Sequence, residues 1–557
     1  MFTSSSKQGV IMAFKLHYLN QERTFEEKVS LKSLLSKNHP FLCAKVNHRI
    51  RDLNYEVYFD ATIEFLTILQ QDAVRTYETT LRYLVAMAVH QLNPLYRFRF
   101  SYHISRSIFM EFIHPKKIDP SFVQKLEAQL KSLVQLNLPF ERTIVNKDEA
   151  IANYQKLDFK DKLEILQYRP EKTVHFYRSG DYINYMHGMM ALSSGFIKDW
   201  KLIYYPPGII IQYPRSETKG QIPPFEDAPI FGQTLKEAHA WSAITQADSV
   251  ARINKFVTED RVVDFINLCE AKHSRMLVEL GEAIEHRRDN LRLICIAGPS
   301  SSGKTTFANR LRIELMSRGF QPIRISIDDY YLPKDQAPKD SDGKPDLESI
   351  HALNLSLFNE HLAQLINGEE VQLPNSKFDS ALEKPKKLKI QEDTLIIIEG
   401  IHALNDALTS VVPKTQKYKI YISPQSQINY DDHNPMSLTD LRLLRRMVRD
   451  KKYRGSPAEQ TIDMWPSVRR GEFTWIYKTQ EEADYVYNSF LPYELCVMKR
   501  YAIPVLSSID KESIYFPTAE RLIRMLKYFV DIDEKWIPSN SLIREFIGGS
   551  CFREVEG

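Results

Sequence analysis

The chain is 557 residues long, 43% apolar and 26% charged, with 74 Lys and Arg against 71 Asp and Glu and a net charge of +3. That composition is ordinary for a soluble globular protein with real cores and implies about three or four domains, while the near balance of charge argues neither for nor against nucleic acid. The five cysteines (Cys43, Cys269, Cys295, Cys496 and Cys551) are scattered, with no CxxC or zinc-ligand spacing, and read as free thiols of a reducing compartment. No run of about 18 apolar residues is present, so no membrane span is expected. The start, MFTSSSKQGVIMAF, has neither the apolar core nor the cleavage site of a secretory signal, and the expected location is cytoplasmic.

Taken in chain order, residues 13–70 alternate short strands with one helix-like stretch. A proline-rich stretch at 205–229, YPPGIIIQYPRSETKGQIPPFEDAP, reads as an ordered surface excursion, and residues 236–290 read as helices joining two halves. LRLICIA then reads as a buried strand, and KTTFANRLRIELMSRG as an amphipathic helix with Phe307, Leu311 and Leu315 at four-residue spacing, ending at Gly319. FQPIRISIDDYY is a second short strand closed by two aspartates and two tyrosines. DTLIIIEG is a strongly apolar strand closed by Glu399. Residues 440–455, DLRLLRRMVRDKKYRG, form one arginine-rich helical segment.

Between the first of these strands and its helix stands AGPSSSGKTTF. Gly298, Gly303, Lys304 and Thr305 fit G-x-x-x-x-G-K-[ST], and the strand–loop–helix context is the one a P-loop requires. The glycines let successive N–H groups converge on a phosphate, and the helix adds its positive dipole end. The expected ATP-binding set is Gly298, Ser300, Ser301, Ser302, Gly303, Lys304, Thr305 and Thr306, with the Thr305 hydroxyl on Mg²⁺. An aspartate at the end of the neighbouring strand can take a proton from an attacking hydroxyl, or can simply shape a turn. Glu399 stands where a Walker-B-type carboxylate holds Mg²⁺. Arg442, Arg445, Arg446 and Arg449 repel one another unless an anion neutralises them. They read either as a lid over phosphates or as a solvated or RNA-facing basic helix.

GPSSSGKTT, SIDDYY, IIIEG and DLRLLRRMVRD occur in the order and spacing of the uridine kinase and phosphoribulokinase group. With DDHNP, WPSVRRGE, QEEADYVYNS and NSLIREFIGGSCF, the chain resembles the long bacterial uridine-kinase-like (nucleoside kinase) proteins from about residue 15 to 553. The resemblance implies an α/β multidomain fold with a C-terminal P-loop kinase. It implies Asp328 as general base, with Asp329 in reserve, and Lys304, Arg445 and Arg449 as catalytic charges. Thr305 and Glu399 become the magnesium partners, and Tyr331, Glu348, Phe378 and Arg442 the acceptor-binding residues. Glu348 stands where the family usually has Asp. The hairpin with which uridine kinases read the base is here LPNSKFDSALEKPKKL. It has Phe378 at an aromatic position, Ser376 where an aromatic is expected, and no matching histidine, so the warrant for uracil specificity is lost.

Residues 13–75 resemble the ubiquitin-like TGS β-grasp module of threonyl-tRNA synthetases and certain GTPases. Residues 76–235 resemble the second additional domain of threonyl- and alanyl-tRNA synthetases, through TLRYLVAMAVHQLNP and HFYRSGDYINYMHGMM. Where those synthetases carry an HxxxH pair, this chain has Tyr83 to Met87, and only His187 falls near a later ligand position. A lone histidine does not make a zinc site, so metal-dependent editing is not expected. The expected domains are 13–75, 76–235, a helical connector 236–290, the kinase 291–530 and a tail 531–557. The leading expectation is ATP- and Mg²⁺-dependent phosphorylation of a hydroxyl on a nucleoside. A sugar or sugar-phosphate acceptor, a nucleotide-switched RNA- or tRNA-binding protein, and a degenerate scaffold are the alternatives. Intact Lys304, Thr305, Asp328 and Glu399 argue against the scaffold. The partners expected are therefore a small acceptor and, through the front domains, RNA, with no membrane.

Overall fold

In the computed structural model, which describes residues 13–115, 117–340, 343–374, 387–391 and 393–555, the alternation at the front becomes a five-stranded sheet. Along Phe14–Tyr18 the burial alternates strictly: Phe14, Leu16 and Tyr18 point into a core and Lys15 and His17 out of it. The sheet order is Gln21–Phe25, Phe14–Tyr18, Ala61–Leu66, Cys43–Val46, Arg49–Arg51, with Phe14–Tyr18 and Ala61–Leu66 parallel. The following helix, Gln71–Leu92, is buried without a break from Thr79 to Val89. A helix buried on all sides over such a stretch is a core element, even with Thr79, Thr80 and Arg82 in it. It shares one apolar cluster with the helix Pro120–Gln135 and with the sheet containing Arg97–Ile104, Ser107–His114 and Gly208–Gln212. A three-stranded sheet, Glu141–Asn146, Thr173–Ser179 and Tyr182–Asn184, has a smaller core around Tyr154, Leu166 and Phe176.

The described chain divides into two compact units, and the division is not linear. The first unit runs to Asp227 and also takes in Asn429–Pro435 and Asp510–Arg521. The second holds Ala228–Ile428, Met436–Ile509 and Leu522 onward. The division after Asp227 precedes the helix Pro229–Ile244, and two stretches within 291–530 group with the first unit.

Polar pairing explains the first of these stretches. Asp431 is completely buried and forms a 2.7 Å ion pair with Lys162, itself 1% exposed. It also accepts from the Asn434 side-chain amide at 2.8 and 2.9 Å and from the His433 N–H at 2.9 Å. Asp432 accepts from Arg99 Nε at 2.7 Å. The His433 carbonyl accepts from Arg82 at 2.6 Å, and the His433 ring stacks on Phe98 with centroids 4.9 Å apart. Burial holds that ring neutral, pushing its pKa down to about 3. The motif DDHNP is thus a hydrogen-bonded hairpin built into the first unit.

The second unit is organised by a five-stranded parallel sheet in the order Pro322–Ser326, Leu395–Glu399, Leu293–Ala297, Lys417–Ser423, Tyr485–Asn488. Every residue of Leu293–Ala297, Leu395–Glu399 and Lys417–Ser423 is buried, the signature of strands covered on both faces. The P-loop strand Leu293–Ala297 is central, so its loop opens at the carboxyl end of the sheet, where doubly wound folds hold ligands. Among the described residues no helix is long and apolar enough to cross a membrane.

Removing one partner of a buried ion pair strands the other, at about 3–5 kcal/mol. Lys162→Met is therefore expected to destabilise the first unit by that amount in urea unfolding followed by hydrogen exchange over residues 13–227. Adding Asp431→Asn should restore part of the loss; equal losses in the single and double variants would show that the pair is not what holds the hairpin.

Candidate active site

The loop after the central strand has its shape from close approaches that only certain residues allow. At Gly298 a Cβ would come 2.0 Å from the Ile422 carbonyl oxygen, so no side chain fits. Ser301 and Gly303 take positive φ, 59° and 90°, and the helix Lys304–Ser317 begins directly after them. Lys304 Nζ donates to the carbonyls of Gly298 at 3.0 Å and Pro299 at 3.1 Å. The hydroxyls of Ser301, Ser302 and Thr306 are buried with no hydrogen-bond partner among the described residues. Buried polar groups are normally satisfied, and three such hydroxyls around a P-loop fit the oxygens of a phosphate chain.

Two carboxylates stand at the strand ends beside this loop. Asp328 lies in the turn Ile327–Tyr330 that follows the strand Pro322–Ser326 and is exposed. Glu399 ends its strand, pairs in register with Ser326 and Ile296, and is 5% exposed. It accepts from Arg324 at 3.1 Å, and the Thr305 hydroxyl lies 3.5 Å away. Burial, and then the neighbouring Asp328, push the Glu399 carboxyl up to about 7, against the pull of Arg324 and Lys304. Burial likewise lowers the Lys304 pKa, while Glu399 and Asp328 raise it, so the three groups share one field. Among the described residues no cluster of three His, Cys, Asp or Glu side chains could hold a metal ion. One carboxylate and one hydroxyl, with phosphate and water completing the shell, are instead the donor set that suits Mg²⁺.

On the acceptor side, Glu348 is half-buried, and burial pushes its carboxyl up to about 7. Arg446 and Lys304 pull it down, while Glu472 and Asp346 push it further up. Its stem leaves no room for a side chain at Gly471, where a Cβ would come within 2.2 Å. Tyr331 is packed so that burial, then Asp328 and Glu348, raise its phenol well above the ordinary value. Phe378 lies outside the described residues.

Three aromatic residues here were not singled out from the sequence. The rings of His351 and His402 stand 5.8 and 6.3 Å from Trp475. His402 is 2% exposed, burial lowers its pKa to about 4, and its Nε2 has no hydrogen-bond partner among the described residues. It lies three residues beyond Glu399, so a histidine was legible after the apolar strand rather than in the hairpin before it.

The arginine helix, Leu438–Arg454, differs from a free lid. Arg442 pairs with the buried Glu472 and donates to the Ser300 carbonyl at 3.1 Å. Arg445, expected among the catalytic charges, is fully buried and pairs with the buried Glu494, with further bonds to the Ser489 and Ser301 carbonyls. A guanidinium held in this way braces the loop, and its Nε has no hydrogen-bond partner among the described residues. Arg446 donates to Ser300 Oγ at 3.1 Å. Arg449 is half-buried, bonded to Asp450 at 3.0 and 3.1 Å, and its charge acts on Lys304.

In the first unit, the positions that resemble metal-ligand sites are packed. The Tyr83 hydroxyl bonds to the Tyr177 and Tyr182 carbonyls at 3.2 and 3.1 Å, and Met87 is 2% exposed. His187 stacks on Tyr430 with centroids 4.5 Å apart, and its N–H donates to Asn434 Oδ1 at 2.6 Å.

Residues 293–491 match the Phosphoribulokinase / Uridine kinase family. That stretch contains the P-loop, both strand-end carboxylates and the arginine helix. The chain is also 25% identical over 190 residues to the threonine–tRNA ligase of Carboxydothermus hydrogenoformans, covering 33% of this chain and 30% of that one. It is 27% identical over 182 residues to threonine–tRNA ligase 1 of Bacillus subtilis, covering 32% and 28%. The chain thus spans about 30% of the length of these curated relatives. A solved structure described as a possible uridine kinase from Bacillus stearothermophilus aligns at 17% identity with a TM-score of 0.25, covering 38% of this chain and 98% of that one. A phosphoribulokinase/uridine kinase family domain is therefore joined in one chain to a front region similar to threonyl-tRNA synthetases.

Because the Glu348 carboxyl is raised from 4.5 to about 7, the folded state holds its proton more tightly than the unfolded chain. Stability from this group is full below about pH 4.5 and is lost as pH rises through 7. Ligand-free Glu348→Gln should accordingly be more stable than wild type by about 1–3 kcal/mol at pH 8, with the gap closing toward pH 5 in urea unfolding. A gap that does not change with pH would rule out the raised carboxyl.

Proposed function

We propose that the C-terminal half catalyses phosphoryl transfer from ATP to a hydroxyl of a small acceptor, with a nucleoside as the leading substrate class. One observation carries this reading: the P-loop with its unpartnered hydroxyls, Lys304, Asp328 and Glu399 meet at one end of the parallel sheet. A scaffold or a simple nucleotide switch has no use for the exposed Asp328 in that company.

Asp328, accessible and beside the loop, takes the proton of the attacking hydroxyl. Lys304 leaves its two carbonyl partners and donates to phosphate oxygens, where a fixed cation in a partly desolvated site is most effective. Arg449 adds positive charge from the arginine helix, while Arg442, Arg445 and Arg446 keep the loop's carbonyls and the Ser300 hydroxyl in place. Thr305 and Glu399 would hold Mg²⁺, which would neutralise phosphate charge when bound. Glu348 accepts from acceptor hydroxyls, and Tyr331, His351, His402 and Trp475 offer the flat faces and polar edges that suit a heterocycle. The same Glu348 would also serve a sugar. The similarity of the front region to threonine–tRNA ligases favours RNA as a second partner, with the location in the cytoplasm.

The test is ATP consumption against a panel of nucleosides, sugars and sugar phosphates. One acceptor should stimulate turnover, and Asp328→Asn should reduce it about 10²–10⁴-fold, the range for loss of a general base. If no acceptor stimulates turnover and structured RNA binds tightly with a steep salt dependence, the RNA-binding reading replaces this one.

A further inference from the structure

The C-terminal segment, to which the sequence assigned no mechanism, packs onto the P-loop. Leu542, Ile543, Phe546 and Ile547 are each at most 1% exposed. Leu542 closes over Gly303, where a Cβ would come within 2.9 Å of it. The Phe546 ring lies 5.0 Å from the Arg445 guanidinium, and the Ile547 carbonyl accepts from Lys452 at 2.6 Å. Arg544 ties the segment back on itself through the carbonyls of Glu534 and Ile537 at 2.8 and 2.7 Å. Held between these contacts, Glu545 is 6% exposed, and its Oε2 accepts the backbone N–H of Thr306 at 3.0 Å.

That N–H is no ordinary donor. It belongs to the first turn of the helix Lys304–Ser317, whose N–H groups have no partner within the helix. In a P-loop these are the donors that cradle the phosphates. A carboxylate and a phosphate oxygen compete for one N–H, and their like charges exclude joint occupancy. The Thr306 hydroxyl, one atom group away, is buried and without a hydrogen-bond partner among the described residues. Glu545 also acts on Lys304, raising its pKa, and on Glu399, raising it as well. Its charge is therefore felt where the phosphates would lie.

We infer that Glu545 is a residue of the phosphate-donor site: it holds the Thr306 N–H in place of a nucleotide phosphate oxygen, and a nucleoside triphosphate binds only by displacing it. The inference rests on the reading of the P-loop as an ATP site. The C-terminal segment then sets the affinity for the donor, and the buried contacts of Leu542 and Phe546 keep the competing carboxylate at high effective concentration.

The experiment is ATP binding to the full-length protein by calorimetry in the presence of Mg²⁺, for wild type, Glu545→Gln, Glu545→Ala and Lys304→Ala, with thermal unfolding to confirm that each is folded. Glu545→Gln removes the repulsion and keeps the shape; Glu545→Ala frees the N–H as well. Both should tighten ATP binding, by about tenfold or more for the alanine variant, while Lys304→Ala abolishes it. Unchanged or weaker binding in folded Glu545→Gln and Glu545→Ala, with wild-type binding still lost in Lys304→Ala, overturns this inference alone. Absence of ATP binding in wild type and in both Glu545 variants overturns it together with the kinase reading.

Discussion

A charge taken out of water must be met at hydrogen-bonding distance, because the loss of hydration costs several kcal/mol per ion and only well-aligned partners offset it. That demand organises both units of this protein. In the first, Lys162 and Asp431 meet in a fully buried pair, and the rest of the hairpin follows: Arg99 on Asp432, Arg82 on the His433 carbonyl, Asn434 back onto Asp431. In the second, Arg442 and Arg445 are bound to the buried Glu472 and Glu494 and each donates to a P-loop carbonyl, of Ser300 and Ser301. What looks in the sequence like a mobile row of cations is largely the loop's support.

The same constraint separates structural from chemical charges within the site. Lys304, Glu399 and Glu348 are the groups whose charges are only partly compensated: burial lowers the lysine and raises both carboxyls to about 7. Incomplete compensation is what an incoming ligand exploits, since phosphates, a divalent cation and acceptor hydroxyls supply the missing partners. Arg445 is paired with Glu494 and bonded to the Ser489 and Ser301 carbonyls, with its Nε left without a hydrogen-bond partner among the described residues. The unpartnered hydroxyls of Ser301, Ser302 and Thr306 make the same point for neutral groups. Glu545 sits at the boundary between the two classes, tied into the C-terminal segment yet occupying a donor that the P-loop directs toward anions.

The front region raises a different question. Its resemblance to threonyl-tRNA synthetases is matched by sequence identity of 25–27% to threonine–tRNA ligases, yet the positions corresponding to metal ligands hold packed side chains. Tyr83 bonds two carbonyls, Met87 lies in the core, and His187 stacks against Tyr430 of the DDHNP hairpin.

Much was legible in the sequence because it rests on local rules. Strand–loop–helix context identifies a P-loop, the run of short strands over residues 13–70 indicates a strand-rich front, and unbroken apolar runs identify the covered parallel strands. Glu399 ends the strand next to the P-loop strand, and Asp328 follows the strand beyond that one, so the order of the parallel strands brings both carboxylates to the same edge of the sheet. The partners of the arginines were not legible: Arg442–Glu472 and Arg445–Glu494 join residues 30 and 49 positions apart, and no periodicity encodes such a pair. Nor was the His351–His402–Trp475 grouping, assembled from three separate connections, or the membership of Asn429–Pro435 in the first unit. The sequence by itself determined which chemistry-bearing groups exist and which strand ends carry them. Tertiary structure alone decided which of those groups are neutralised by a buried partner and which stay available, because desolvation and pairing depend on neighbours that the chain brings together only when it folds.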